Sequence, residues 1–458
     1  MKYGFVTYDD INNRLDKLVN SKTVNKVRKK TPIAYSPCGF PINLYEIGNG
    51  DKHFVIMSGT HGTEIIGPDL VIQMIEFFAN NSDINLENIT LDFIPLQNPE
   101  GFIVVTESIK PYMKDLTADE FEKISHDYWD NYRLDDRRYI IINELLKSLG
   151  DEDTDDFWNI YRCKNIDKHQ LWEFCLNRFN ITKEQLLEKW KIANVDSLFS
   201  SNVLMVGNRY KVFGKINYEM LPEKDERYQK LKSKIKTIMD SDYDGYKFPS
   251  ESLIDWRCNS NGVDLNRNCP EVLNLKLKEI EKKSVLFGNY RFNNLRREIP
   301  GPQGVASVNL DNFTFEPENR GLLLHLQKLA KNKKYLGCIS YHGTGAVIYC
   351  HPLRLEKSFN ENKAIRIDSI NELYADIYSS VTGYSKVDYP DKITGTGDMI
   401  RNLIPGFLIV ELSRMGGNPL SPYGDKNGNY KSIIIDNIKA IIKLIDFLSS
   451  LEKNKIKE

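Results

Sequence analysis

No apolar run in this chain approaches the roughly 18 residues of a membrane span. Its first residues, MKYGFVTYDDINNRLDK, put acids where a secretory signal needs an apolar core, so the expected location is the cytoplasm. Charge of one sign is not in excess. With 62 Lys and Arg against 63 Asp and Glu, nothing global steers the protein toward nucleic acid or an anionic membrane. Paired cysteines are missing too. Seven cysteines spread from Cys38 to Cys350 without a C-x-x-C pair, which fits neither a disulfide framework nor a thiolate zinc site. Internal repeats and low-complexity tracts are absent. What is present is length: 458 residues allow about two to four domains, or one large domain with an insertion.

The chain begins in an α/β pattern. PINLYEI and HFVIMSG are apolar segments separated by the turn-like GNGDK, as expected of neighbouring strands. DLVIQMIEFFANN then has helical spacing, and ITLDFIPLQ reads as another strand. Between residues 106 and 250 the texture changes to long helical patterns such as RRYIIINELLKSL and TKEQLLEKWKIANV, with an acidic run at 151–156. Thr182 and Gln185 make a capping-box pair at the start of one of them. This stretch is expected to be a mainly helical insertion into a domain formed by 1–105 and 251–458. The core pattern returns with GFLIVEL, an apolar strand, and YKSIIIDNIKAIIKLIDFL, an amphipathic helix.

SGTHGTE follows the first strong apolar run and places His61 and Glu64 together at its end. A catalytic zinc ion takes three protein ligands and leaves one position open for water. His61 and Glu64 would supply two. CISYHGTG places His342 at the end of another apolar run as the third, whereas His53 precedes its strand, His325 lies on an apolar helix face, and His126, His169 and His351 are less suited still. RCNSNGVDLNRNCP adds Arg257, Asp264, Asn266 and Arg267, a set suited to a carboxylate-bearing substrate, because a guanidinium fork binds a carboxylate in two places.

These motifs, in this order, resemble the zinc carboxypeptidase family. HGTE at 61–64, NPEGF at 98–102, GVDLNRN at 262–268, FEPEN at 315–319, YHGT at 341–344 and IVELS at 409–413 each have a counterpart there. The resemblance implies a mixed, largely parallel eight-stranded sheet flanked by helices. It also implies one Zn2+ held by His61, Glu64 and His342, with Asp264 orienting His61 from behind. Arg257 would polarise the scissile carbonyl, Asn266 and Arg267 would clamp a terminal carboxylate, and Glu411 would be the general base. Tyr389 stands where the family carries a mobile tyrosine, with Tyr384 nearby. The implied activity is removal of a C-terminal amino acid from a peptide; the long insertion favours short peptides, and the cytoplasmic expectation makes a muropeptide one candidate by analogy.

The stretch between Glu64 and Arg257 is far longer than the family's core needs, so the insertion is expected at the rim, as a lid or wall. ITGTGDMIR at 393–401 offers Asp398 for a basic departing residue and Arg401 for an acidic one. Competing readings are an N-acyl amino acid deacylase of the aspartoacylase and succinylglutamate desuccinylase type, a non-catalytic binding module, and a cysteine hydrolase using Cys258 or Cys269.

Overall fold

In the computed structural model the described residues are chiefly 5–113, 216–241, 250–269, 300–343, 345–350, 361–387, 395–413 and 430–455, with single residues left out within these spans at 85 and 303 and a short stretch at 309–312. The long helical patterns of the insertion, its acidic run and the Gln185 half of the capping box lie outside them.

Ten strands are described: β1 (Arg28–Lys29), β2 (Ala34–Tyr35), β3 (Pro41–Ile42), β4 (Tyr45–Gly48), β5 (Lys52–Ser58), β6 (Ile89–Ile94), β7 (Tyr335–Gly343), β8 (Val347–Tyr349), β9 (Ser385–Val387) and β10 (Phe407–Leu412). Eight form one sheet in the order β1-β4-β6-β5-β7-β10-β8-β9, with β2 and β3 as a separate pair. Its centre, β6-β5-β7-β10, is parallel throughout, and antiparallel pairs flank it at β4·β6 and β10·β8. The fold is therefore the mixed, mostly parallel sheet that the motifs imply.

The central strands read as near-continuous apolar runs because both faces are covered. β6 is buried along its whole length. On one face Phe54, Ile56, Leu91 and Phe93 pack into the larger core, against α2 (Ile66–Asn80) and the C-terminal helix at Tyr430–Lys455. On the other, Val55, Met57 and Ile94 meet Leu322, Leu326 and Leu329 of the helix Pro317–Lys331, beside Ile400 and Ile404. The alternation decides where the chemistry falls. Phe407 and Ile409 belong to this second face, so Glu411 follows them there, and the parallel register sets it beside His342.

The helix α3 (Pro99–Met113) runs straight through position 106. Helix α4 (Glu226–Asp240) buries Tyr228, Leu231 and Ile235 in the larger core, where Phe40 meets Tyr228 edge-on at 5.1 Å. The described parts of the 106–250 stretch thus pack on the same core as the sheet. The helices that follow are α5 (Pro317–Lys331), α6 (Glu361–Thr382), α7 (Thr396–Leu403) and α8 (Tyr430–Lys455).

Candidate active site

β5 ends at Ser58, and the chain turns through His61 and Glu64 before α2 starts at Ile66. The turn is held from two sides. Asn98 donates through Nδ2 to the Thr60 carbonyl at 3.3 Å and the Arg257 carbonyl at 3.1 Å, and the Gly62 amide donates to the same Arg257 carbonyl at 3.1 Å. A Cβ on Gly62 would lie 2.3 Å from the carbonyl carbon of Gly101 and 2.5 Å from the Trp256 oxygen, so only glycine lets the NPEGF segment and the Arg257 loop close on the turn.

Within this frame three side chains converge. His61 Nδ1 lies 2.6 Å from Glu64 Oε1, His342 Nδ1 lies 3.1 Å from Glu64 Oε2, and one ligand atom from each residue falls within 4.8 Å of the others. Two imidazole nitrogens and a carboxylate are the donor set of a catalytic zinc site, and ligands of a tetrahedral ion at about 2.0–2.1 Å stand roughly 3.3 Å apart. The residues fit. The far nitrogen of His61, Nε2, lies 3.3 Å from Asp264 Oδ1, the carboxylate that orients a metal-bound imidazole and fixes its tautomer. Asp264 itself is fully buried.

The charges of the site hold one another in place. Burial works against ionising Glu64, yet His61 and His342 outweigh it and keep the carboxylate well below its usual range. Asp264 is likewise held well below the ordinary carboxylate value: burial opposes ionisation, and His61 and Arg257 overcome it. Glu411 behaves in the opposite way. Loss of water around its carboxylate pushes it up to about 7, against the pull of His342 and Arg257. Among the described residues the Glu411 side chain forms no hydrogen bond or ion pair, which leaves its oxygens available to a water; Arg414, its nearest candidate partner in sequence, lies outside them.

Arg257, Asn266 and Arg267 stand around this group. Arg257 Nη2 is 3.0 Å from His61 Nε2 and 3.7 Å from Asp264 Oδ2. The Nε donors of Arg257 and Arg267 are buried without an acceptor among the described residues. Buried donors of this kind are uncommon in native proteins, and beside a candidate metal group they are free to bond a bound anion or water. Asn266 faces α7: its carbonyl accepts from the Thr396 amide at 2.8 Å and its Oδ1 from the Gly397 amide at 3.5 Å, leaving Nδ2 to point elsewhere. Gly395 permits that approach, since a Cβ there would meet Asn266 Oδ1 at 2.4 Å.

Seven candidates from the sequence, with Asp264 behind them, are thus within one neighbourhood. Tyr389 lies outside the described residues. Tyr384, its neighbour, accepts from Asn437 Nδ2 at 3.1 Å and is tied to α8. Arg401 is buried against the smaller core, and the side chain of Asp398 is not described. Cys258 and Cys269 are fully buried. Sequence reading assigned no role to Asn98, Asn268 and Asn319, which serve as clamps. Asn268 Oδ1 accepts from the Glu316 amide at 2.8 Å, and Asn319 Nδ2 donates to the Leu265 carbonyl at 2.8 Å, so the FEPEN segment grips the loop that carries Asp264 to Arg267. The signal was present in the matched motifs, NPEGF and FEPEN.

A family model described as zinc carboxypeptidase matches residues 15–174, the stretch that holds His61, Glu64 and NPEGF. No curated protein matches the chain. Among solved structures, the thrombin activatable fibrinolysis inhibitor is 12% identical, with 96% of this chain and 72% of that one covered and a TM-score of 0.44. A carboxypeptidase A from Helicoverpa armigera is 11% identical over 96% and 74%, at 0.42, and a metallo-carboxypeptidase from Burkholderia cenocepacia 9% over 97% and 70%, at 0.41. The chain resembles the zinc carboxypeptidase family, and residues 15–174 match that family's model.

Proposed function

We propose that this protein is a zinc-dependent hydrolase that removes a C-terminal amino acid from short peptides. The observation that carries the reading is the pair of buried guanidinium donors, Arg257 Nε and Arg267 Nε, beside the His61, Glu64 and His342 group and a carboxylate, Glu411, without a partner among the described residues. A peptide with a free carboxylate supplies what each of these lacks.

His61, Glu64 and His342 would hold the zinc ion, and Asp264 would keep the His61 ring in position. Bound there, zinc supplies a Lewis acid that lowers the pKa of a water toward about 7. Arg267, with Asn266 beside it, takes the substrate's terminal carboxylate through two or more charge-assisted hydrogen bonds, which fixes the last peptide bond in the site. Arg257 donates to the carbonyl oxygen as it gains charge. Glu411 takes the proton of the attacking water and later returns it to the departing amine, so one carboxylate acts as base and then as acid. Burial raises the Glu411 carboxyl above its ordinary value, which makes it a better proton carrier for both tasks. Tyr389 would close over the bound substrate, and the 106–250 insertion would limit its size.

The test uses zinc-loaded protein and a panel of short peptides, muropeptides and N-acyl amino acids, with products read by mass spectrometry beside Glu411→Gln. Loss of one C-terminal residue, absent in the variant, supports the proposal and names the preferred side chain. Release of an acyl group with peptides untouched would overturn it.

A further inference from the structure

A second group of imidazole and carboxylate side chains lies on the α5-covered face of the same sheet. Glu46 of β4 and Asp92 of β6 are direct partners across an antiparallel pair, which sets two carboxylates abreast on one face. Like charges directly opposite in a sheet repel, and a cation between them removes the penalty. His53 comes from β5 on the other side of Asp92, with Nδ1 2.8 Å from Asp92 Oδ1. One ligand atom from each of Glu46, His53 and Asp92 lies within 4.8 Å of the others.

The surroundings are those of a built site. Asp92 is completely buried, and its second oxygen, Oδ2, lies 3.1 Å from His325 Nε2 on α5. His325 therefore stands to Asp92 as Asp264 stands to His61, a partner behind a candidate ligand that fixes its orientation. His53 is the second residue of β5 rather than a residue ahead of it, and the pairing with β7 slips between His53 and Phe54. Such irregularities re-aim a side chain and recur beside functional sites. Arg28 and Lys30 also face the group, and both contact Glu46 at Oε2, at 3.3 and 3.4 Å. Neither hydrogen-bonds the other oxygen.

We propose that Glu46, His53 and Asp92 bind a second divalent cation, of the zinc type, whose task is structural. Mixed imidazole and carboxylate donors suit zinc and its first-row neighbours better than calcium or magnesium. The ion joins β4, β5 and β6, and through Asp92 and His325 it fastens α5 to the sheet. That matters because the start of α5 grips the loop bearing Asp264 to Arg267. This proposal stands apart from the peptidase reading, since it concerns different ligands and needs no turnover.

The experiment measures bound metal on the full chain, stripped with chelator, reloaded with zinc and freed of excess, by elemental analysis. Two zinc ions per chain are expected in the unmodified protein, and one in each of Glu46→Gln, His53→Gln and His342→Gln. Zinc should also still raise the melting temperature of His342→Gln, an effect that a single site at His342 would not give. A zinc content that is the same in Glu46→Gln and His53→Gln as in the unmodified protein, whether one or two per chain, overturns the proposal; a single zinc lost in those two variants but kept in His342→Gln supports it and counts against the first site instead. Glu46 is partly accessible at the sheet's margin, so its variant keeps the test decisive if His342→Gln does not fold.

Discussion

Gly62→Ala adds a single methyl group between the two candidate ligands His61 and Glu64, at a place with no room for it. The new carbon would stand 2.3 Å from the Gly101 carbonyl carbon, 2.4 Å from its oxygen and 2.5 Å from the Trp256 oxygen. Carbon atoms in contact prefer about 3.5–4.0 Å, so the shortfall against the Gly101 carbonyl carbon is at least about 1.2 Å, and all three obstacles are backbone, which no rotamer change relieves. The turn must move by about that distance. Overpacking of this kind destabilises by about 1–3 kcal/mol, and a misplacement of about 1 Å in a catalytic group lowers rates about 100-fold. The control is Gly343→Ala, directly beside His342, where the nearest atom to an added carbon is Glu64 Cγ at 3.8 Å, an ordinary contact. Chelator competition for zinc, thermal melting and peptide turnover should show Gly62→Ala impaired in all three and Gly343→Ala close to normal. A Gly62→Ala protein with unchanged zinc affinity and melting temperature would refute the packing argument, the more so if Gly343→Ala were the damaged one.

Glu411→Gln should lower turnover by about 100- to 10,000-fold while zinc binding by elemental analysis stays intact, because it removes the proton acceptor and no ligand. For the zinc-loaded protein, kcat/KM should fall as pH drops through the Glu411 value, which burial raises to about 7 and the charge of the ion lowers again; an acid limb that persists unchanged in the residual activity of Glu411→Gln would contradict a carboxylate base at this position. Asp69, fully buried on α2 and hydrogen-bonded by Gln73 and Tyr430, is pushed by burial from 3.8 up to about 6. The folded state holds this proton more tightly than the unfolded chain. Its contribution is therefore complete below about 3.8 and lost as pH rises through about 6, a difference of about 3 kcal/mol. Denaturant titrations of Asp69→Asn should show less decline than the unmodified protein across that window, and parallel curves would count against the buried carboxyl. Asn98→Ala removes the donor to the buried Thr60 carbonyl, one of two donors to the Arg257 carbonyl and the acceptor of the Gly101 amide, which predicts a loss of about 1–3 kcal/mol by chemical unfolding together with weaker zinc affinity.

The strands and the candidate ligands were legible because each leaves a local trace. An apolar run ending in small residues marks a buried parallel strand, and His61 with Glu64 sits at the end of one, with His342 and Glu411 at the ends of two more. Their meeting on one face needed only the two-residue period of a strand. What was not legible depends on partners distant in sequence. Asn98, Asn268 and Asn319 bond to backbone groups, which carry no periodicity, and Gly62 is required by Gly101 and Trp256, residues no local pattern connects to it. His53 and His325 were set aside as zinc ligands for the first site, and their common partner Asp92 emerges only from the strand order β4-β6-β5 and the helix laid over it. The helical texture of 106–250 hid the fact that α4 belongs to the main core, since amphipathic spacing does not say which surface a helix covers.

The order in which the site is assembled has a consequence for the living cell. Glu411 lies on β10, the last in chain order of the described strands, and β10 takes its place by pairing with β7 and β8. A ribosome that has released His61, Glu64, Arg257 and even His342 has not yet released the carboxylate that would act as base. On the proposed reading, the growing polypeptide would lack its base through most of its synthesis and gain it only when β10 pairs with β7 and β8.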